Sequence, residues 1–301
     1  MDVRESLRSY LKFVPTEREV PYTVLSEEDL VSYRRFLLHY QSEDGDIIPA
    51  FFLLPHNPVH RSGVLALHQH ASQRHIGKSE ICGITGDPNQ WIGHHLAERG
   101  YAVLAPDSIC FEDRRRNGVT GIGPHPQDER QHYNEMAYRL VRGETLMGKV
   151  LADTCTSLNL LMTQKVLDLD SIAVVGHSYG GNSALFYGAL DRRVNYVCAS
   201  GAACTYKTKL EKEIGLEMAL VLPGFLQKFD LEEVIACIYP RELYLLSATH
   251  DPYALDADVI EEKMRAKHPD WQLNHSRYVG DHPLTTERLK DILQWFERNV
   301  R

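Results

Sequence analysis

The chain has 301 residues, 43% hydrophobic and 25% charged, a balance that supports a sizeable buried core and excludes a disordered or fibrous chain. Its 33 basic and 41 acidic side chains leave a net charge of −8, which lacks the basic footprint of a nucleic-acid binder, and no apolar stretch reaches the length of a membrane span. The charged opening, Met1 to Leu7, has no apolar signal core, and the six cysteines form no CxxC pair, so a cytoplasmic location and buried free thiols are expected.

In chain order, Val3, Leu7, Tyr10 and Leu11 share one face of an N-terminal helix. The runs 35–40 and 47–54 flank Glu43-Asp44-Gly45-Asp46, whose Asp-Gly predicts a hairpin. From Gly63 the pattern alternates. Val64–Leu67 is a strand, Trp91 to Leu96 a helix stopped by Gly100, and Ala102–Ala105 a strand ending in Pro106-Asp107. A long helix follows over Leu146 to Met162, then the strand Ile172–Val175 and a turn into a helix through Leu190. Three further strands are expected at 194–199, 243–247 and 276–279. Helices are expected at Leu210–Leu222, Leu231–Ile238, Ala254–Lys267 and Glu287–Val300. Asp230 and Glu233 fit a capping box at the second of these. The sum is an antiparallel pair plus six strands alternating with helices, an eight-stranded, mostly parallel, doubly wound α/β sheet in one domain over 1–301.

Two insertions interrupt the alternation at 111–143 and 205–239. Each follows a strand end, where loops build pockets and lids in such sheets. The first is polar, and its run Arg114-Arg115-Arg116 reads as a solvated loop in preference to an anion site. The second is apolar and fits a lid as well as a small core of its own.

The chemistry centres on Gly176-His177-Ser178-Tyr179-Gly180-Gly181, a glycine-flanked turn between strand and helix that raises Ser178 at a helix N-terminus. A serine hydroxyl needs a base, and the base needs a group that holds its tautomer. With such an elbow the partners come in the order serine, acid, histidine. Asp251 leaves the end of the 243–247 strand, with Asp256 and Asp258 as rivals, and His282 leaves the last strand with Asp281 beside it. An oxyanion needs two donors. One is the backbone N–H of Tyr179, and the other comes from the loop after the first parallel strand, where Gln69 and His70 both qualify and His70 is favoured. The histidines His68, His70, His75, His94 and His95 raise a metal reading, but no spacing among them requires one.

These residues resemble the α/β-hydrolase superfamily, within it the branch of acetyl xylan esterases, cephalosporin C deacetylases and dienelactone-hydrolase-like proteins. The resemblance runs from about residue 35 to the C-terminus. It rests on Leu67-His68-Gln69-His70, Gly100-Tyr101, Ala105-Pro106-Asp107, the elbow, Tyr239-Pro240-Arg241 and Gly280-Asp281-His282. Two features depart from the pattern: serine stands where dienelactone hydrolases proper carry cysteine, and His68-Gln69 replaces the usual His-Gly. The elbow also resembles prolyl-oligopeptidase-type peptidases, which carry a propeller for which this chain has no room.

The resemblance implies a serine hydrolase of carboxylic esters, deacetylase-like, with Ser178, Asp251 and His282 as catalytic residues, an acyl-enzyme intermediate, and no cofactor or metal. Its partner is a small-molecule ester, with no nucleic acid and no membrane, and self-association is left open. The alternatives are a small peptidase or amidase on the same residues, a non-catalytic binding protein of this fold, and a metal-dependent hydrolase.

Overall fold

The computed structural model describes residues 2–116, 123–164, 166–167 and 169–300. Nine strands form one sheet: β1 (Tyr22–Asp29), β2 (Tyr33–Gln41), β3 (Ile47–Pro55), β4 (Ser62–Leu67), β5 (Ala102–Pro106), β6 (Ser171–His177), β7 (Tyr196–Ser200), β8 (Glu242–Ala248) and β9 (Leu273–Tyr278). Their order is β1-β2-β3-β5-β4-β6-β7-β8-β9. The first three strands run antiparallel up to the β3/β5 pair, and every pair from β5 to β9 is parallel. This is the α/β-hydrolase fold.

Ten helices are described: α1 (Val3–Leu11), α2 (Lys78–Ile81), α3 (Ile92–Glu98), α4 (Asp128–Val141), α5 (Leu146–Met162), α6 (Tyr179–Leu190), α7 (Tyr206–Glu211), α8 (Leu231–Ala236), α9 (Ala257–Lys267) and α10 (Thr286–Asn299). The sheet is sandwiched because successive strand residues face opposite ways. Leu65 and Leu67 of β4 and Val174 of β6 pack on one face with α1, α5, α6 and α8. Val64 and Ala66, with Val175, pack on the other against α3 and α10. The expected capping box at α8 is present, and all six cysteines are buried free thiols. No helix among the described residues is long and apolar enough to cross a membrane.

The structure departs from the sequence expectations at four places. The sheet has nine strands where eight were expected, because β1 is an edge strand with all eight residues exposed and so carries no apolar alternation. Its register puts Glu27 and Glu28 opposite Phe36 and Arg35, and Arg34 and Arg35 pair with these two acids. The helix expected over Leu210–Leu222 is two pieces, α7 and a 3₁₀ turn at Met218–Leu220, separated where Glu213 adopts a left-handed φ of 54° and Gly215 follows. The first insertion holds α4; its stretch 117–122 lies outside the described residues. Finally, Arg114 and Arg115 are not solvated: Arg114 pairs with Asp153 at 2.8 Å and Arg115 with Asp128 at 2.7 Å, with both side chains buried.

Candidate active site

At the end of β6 the chain reverses into α6 through Ser178, which has φ 56° and ψ −116°. A non-glycine residue held there is strained, and the neighbouring backbone leaves no alternative path. A Cβ on Gly176 would lie 2.3 Å from the Gly180 carbonyl carbon, and one on Gly180 would lie 2.0 Å from the Leu67 carbonyl oxygen. The two glycines let elbow and β4 close together, and the Ser178 N–H is tied to the Ser200 carbonyl at 2.8 Å. Tyr179 opens α6, so its N–H has no intrahelical acceptor.

The loops after β8 and β9 bring the other two expected residues to this serine. Ser178 Oγ donates to His282 Nε2 at 2.8 Å, and His282 Nδ1 donates to Asp251 Oδ1 at 2.9 Å. Asp251 is fully buried, and the same oxygen accepts the Tyr253 N–H. The rival acids lie elsewhere. Asp256 accepts the Thr205 and Thr208 hydroxyls at the start of α7, Asp258 pairs with Arg277, and Asp281 offers its carbonyl to Arg288.

Three residues to which the sequence assigned no positioning role brace this arrangement. Arg288, 1% exposed, donates to the carbonyls of Asp281 (2.7 Å) and His282 (3.3 Å) and so clamps the histidine loop. His177 stacks on His282 with ring centroids 4.9 Å apart and shares a hydrogen bond with Ser200 Oγ. Burial and the neighbouring His282 hold its pKa well below the ordinary imidazole value, so it adds no charge beside His282. His68 Nδ1 donates to the Gln69 carbonyl, and its Nε2 accepts the Ser108 N–H at 3.0 Å. Burial pushes its ring down to about 4, which keeps it neutral as this tie requires. His68 thereby joins the loop after β4 to the loop after β5. The sequence offered it only as part of the Leu67–His70 motif and as one histidine of the metal reading.

The same two loops are joined beneath by a buried ion cluster. Lys78 Nζ lies 2.8 Å from Asp107, 2.6 Å from Glu112 and 2.7 Å from Asp113. Three carboxylates hold the lysine charged, whereas burial and the charge of Glu112 push the Asp107 carboxyl up.

A cavity of about 320 Å³ opens above Ser178 and Tyr179. His70 lies in its wall, whereas the Gln69 side chain turns to Glu80 Oε2 at 2.9 Å. Both insertions contribute to the lining, Glu129 from α4 and Lys209, Glu217 and Leu220 from the second. The second insertion does not close a separate core: its Phe225 packs on Tyr206 and, from the main body, on Tyr10 of α1 and Phe186 of α6. Burial pushes the Glu217 carboxyl up to about 7, and burial together with Arg74 pushes His70 down to about 3.

The histidines of the metal reading do not meet as one group. His94 and His95 pair with Glu98. His70, His132 and Glu217 do bring donor atoms within 4.8 Å of one another. Against His70 Nε2, however, lies the Arg74 guanidinium, and His70 Nδ1 accepts the Ser72 N–H. A resident cation thus faces the ring nitrogen that an ion would need.

The dienelactone hydrolase family model matches residues 76–280. YtaP of Bacillus subtilis (strain 168) is 28% identical over 225 residues, covering 72% of this chain and 71% of that protein. Among solved structures, a protein of Bacteroides fragilis NCTC 9343 superposes with a TM-score of 0.74 at 15% identity, covering 98% of this chain and 86% of that one. An acetyl xylan esterase from Paenibacillus sp. R4 gives 0.67 at 16% identity (98% and 92%), and a glucuronoyl esterase from Solibacter usitatus 0.66 at 13% (98% and 91%). At these identities the structural likeness speaks for the fold.

Proposed function

Since this chain belongs to the dienelactone hydrolase family, we propose that it is a serine hydrolase of short carboxylic esters, deacetylase-like, working through an acyl-enzyme. The observation that carries this reading is the unbroken hydrogen-bonded chain from Ser178 Oγ through His282 to buried Asp251. Ser178 Oγ attacks the ester carbonyl while His282 Nε2 takes its proton, and Asp251 stabilises the imidazolium. The oxyanion is held by the Tyr179 N–H at the start of α6 and by a backbone N–H of the loop after β4, at His70 in preference to Gln69. His282 returns the proton to the leaving alcohol oxygen. It then activates a water that releases the acid.

The acetyl xylan esterase among the structural relatives supports a small acyl group, as does the modest cavity. A cytoplasmic site of action fits six free thiols. The test is turnover of p-nitrophenyl acetate. Ser178→Ala is expected to lower kcat by at least about a thousandfold with its melting temperature retained. Undiminished turnover in a folded variant overturns the proposal.

A further inference from the structure

Glu217 stands in the wall of the Ser178 cavity, just ahead of the 3₁₀ turn Met218–Leu220. Its Oε2 accepts the Ala219 N–H at 2.7 Å, whereas its Oε1 is buried and has no hydrogen-bond partner. Two buried groups beside it share that condition. His132 of α4 is fully buried with neither ring nitrogen bonded, and its Nε2 lies 3.9 Å from Glu217 Oε1, too far for a hydrogen bond. Arg74 sets Nη1 against His70 Nε2 and Nη2 on Glu129 at 2.9 Å, which leaves its buried Nε without an acceptor. An unmade hydrogen bond on a buried group is costly, and three such groups side by side mark a place with more than one arrangement.

The chemistry of each neighbour dictates when Glu217 can use it. Burial, Arg74 and His70 keep the His132 ring neutral, so its Nε2 can accept from a protonated carboxyl. The Arg74 Nε only donates and pairs best with a carboxylate. Burial pushes the Glu217 carboxyl up to about 7, which puts both of its forms near neutral pH. Arg74 is the stronger of the two cations that act on it, and Lys209 of α7 is the weaker. The other titratable groups around it are His70 and Glu129 in the cavity wall, with Tyr179 of α6 and Tyr206 of α7, both held neutral by burial.

We propose that Glu217 is a positioning residue with two alternative partners, His132 when the carboxyl carries its proton and Arg74 when it does not. In the first state Oε1–H donates to His132 Nε2, and Arg74 stays on His70. In the second the proton has gone to solvent, and the carboxylate accepts from Arg74 Nε and draws the guanidinium off His70. His70 belongs to the loop that supplies the second oxyanion donor, so turnover declines as Glu217 ionises. This rests on the ester-hydrolase reading, in which that loop serves the reaction.

The test is the pH profile of kcat on p-nitrophenyl acetate from pH 5 to 9, corrected for the spontaneous reaction. The wild type should rise while His282 becomes the free base and then fall by at least about threefold toward pH 9. Glu217→Gln keeps a donor for His132 and cannot ionise, so its profile should rise to a level plateau. His132→Leu removes the partner of the protonated form and should move the fall about one unit lower in pH, a roughly tenfold change in proton affinity. A merely structural role would lower the whole curve without changing its shape. A wild-type plateau through pH 9, or a fall that survives in Glu217→Gln, overturns the proposal.

Infrared titration of Ser178→Ala gives a readout independent of turnover. The carbonyl stretch of protonated carboxyls should fade as pH rises through about 7. Asp107 contributes to the same change, so the part that Glu217→Gln removes is the part assigned to Glu217. No such part overturns the proposal. Its presence, with a shift to lower pH in His132→Leu but no ester hydrolysed at any pH, defeats the ester-hydrolase reading and leaves the exchange of partners standing.

Discussion

Lys78→Met removes the cation of the buried cluster and keeps its methylene stem. Lys78 is fully buried and touches three carboxylates at 2.6 to 2.8 Å. Stripping one partner from a buried ionic group costs about 3–5 kcal/mol. At this chain length that corresponds to roughly 6–15 °C in melting temperature. The loss should also depend on pH in a definite sense. Asp107 already has a raised pKa in the folded protein, so the native state binds more protons than the unfolded chain and stability falls as pH rises through that window. Without the lysine the Asp107 carboxyl is pushed further in the same direction. The wild-type minus variant difference in melting temperature should therefore be larger at pH 8 than at pH 5, as read by scanning calorimetry in low salt. A variant that melts within about 2 °C of the wild type at both values would refute the reasoning, since three clustered carboxylates, two of them buried, cannot share one space without a cation or protons.

Two further outcomes follow from the elbow and its partners. Asp251→Asn should leave the fold in place but allow His282 the wrong tautomer, with kcat on p-nitrophenyl acetate falling by about 10³–10⁴. Gly180→Ala drives a methyl to 2.0 Å from the Leu67 carbonyl oxygen. The variant should lose about 3 kcal/mol or more, measured as a drop in urea midpoint, or fail to accumulate as folded protein.

What could be read from the residues alone follows a physical rule. Where a local pattern and the tertiary role coincide, the element was legible. β6 is buried and β-branched, α10 repeats Leu289, Ile292, Leu293 and Phe296 on one face, and the glycines around Ser178 are demanded by backbone contact. The order of Ser178, Asp251 and His282 was legible because each leaves a strand at the same edge of a parallel sheet. β1 escaped notice because its support is cross-strand pairing with Arg34 and Arg35, not burial. α4 escaped because two of its three buried side chains are polar, Asp128 and His132. The apolar stretch at 210–222 suggested one helix, yet its residues divide between the cavity wall and the main core and do not share a helical stripe. The burial of Lys78, Arg114 and Arg288 depends on partners 6 to 39 residues away. No single segment announces it.

The central claim is that Ser178 is an activated nucleophile, and covalent capture addresses it most directly. The native protein is treated with a fluorophosphonate and its peptides are weighed. The account predicts one adduct, on the peptide containing Ser178, formed at least about a hundredfold more slowly in His282→Ala. An unlabelled Ser178 in the folded protein, or labelling at the same rate without His282, would contradict it.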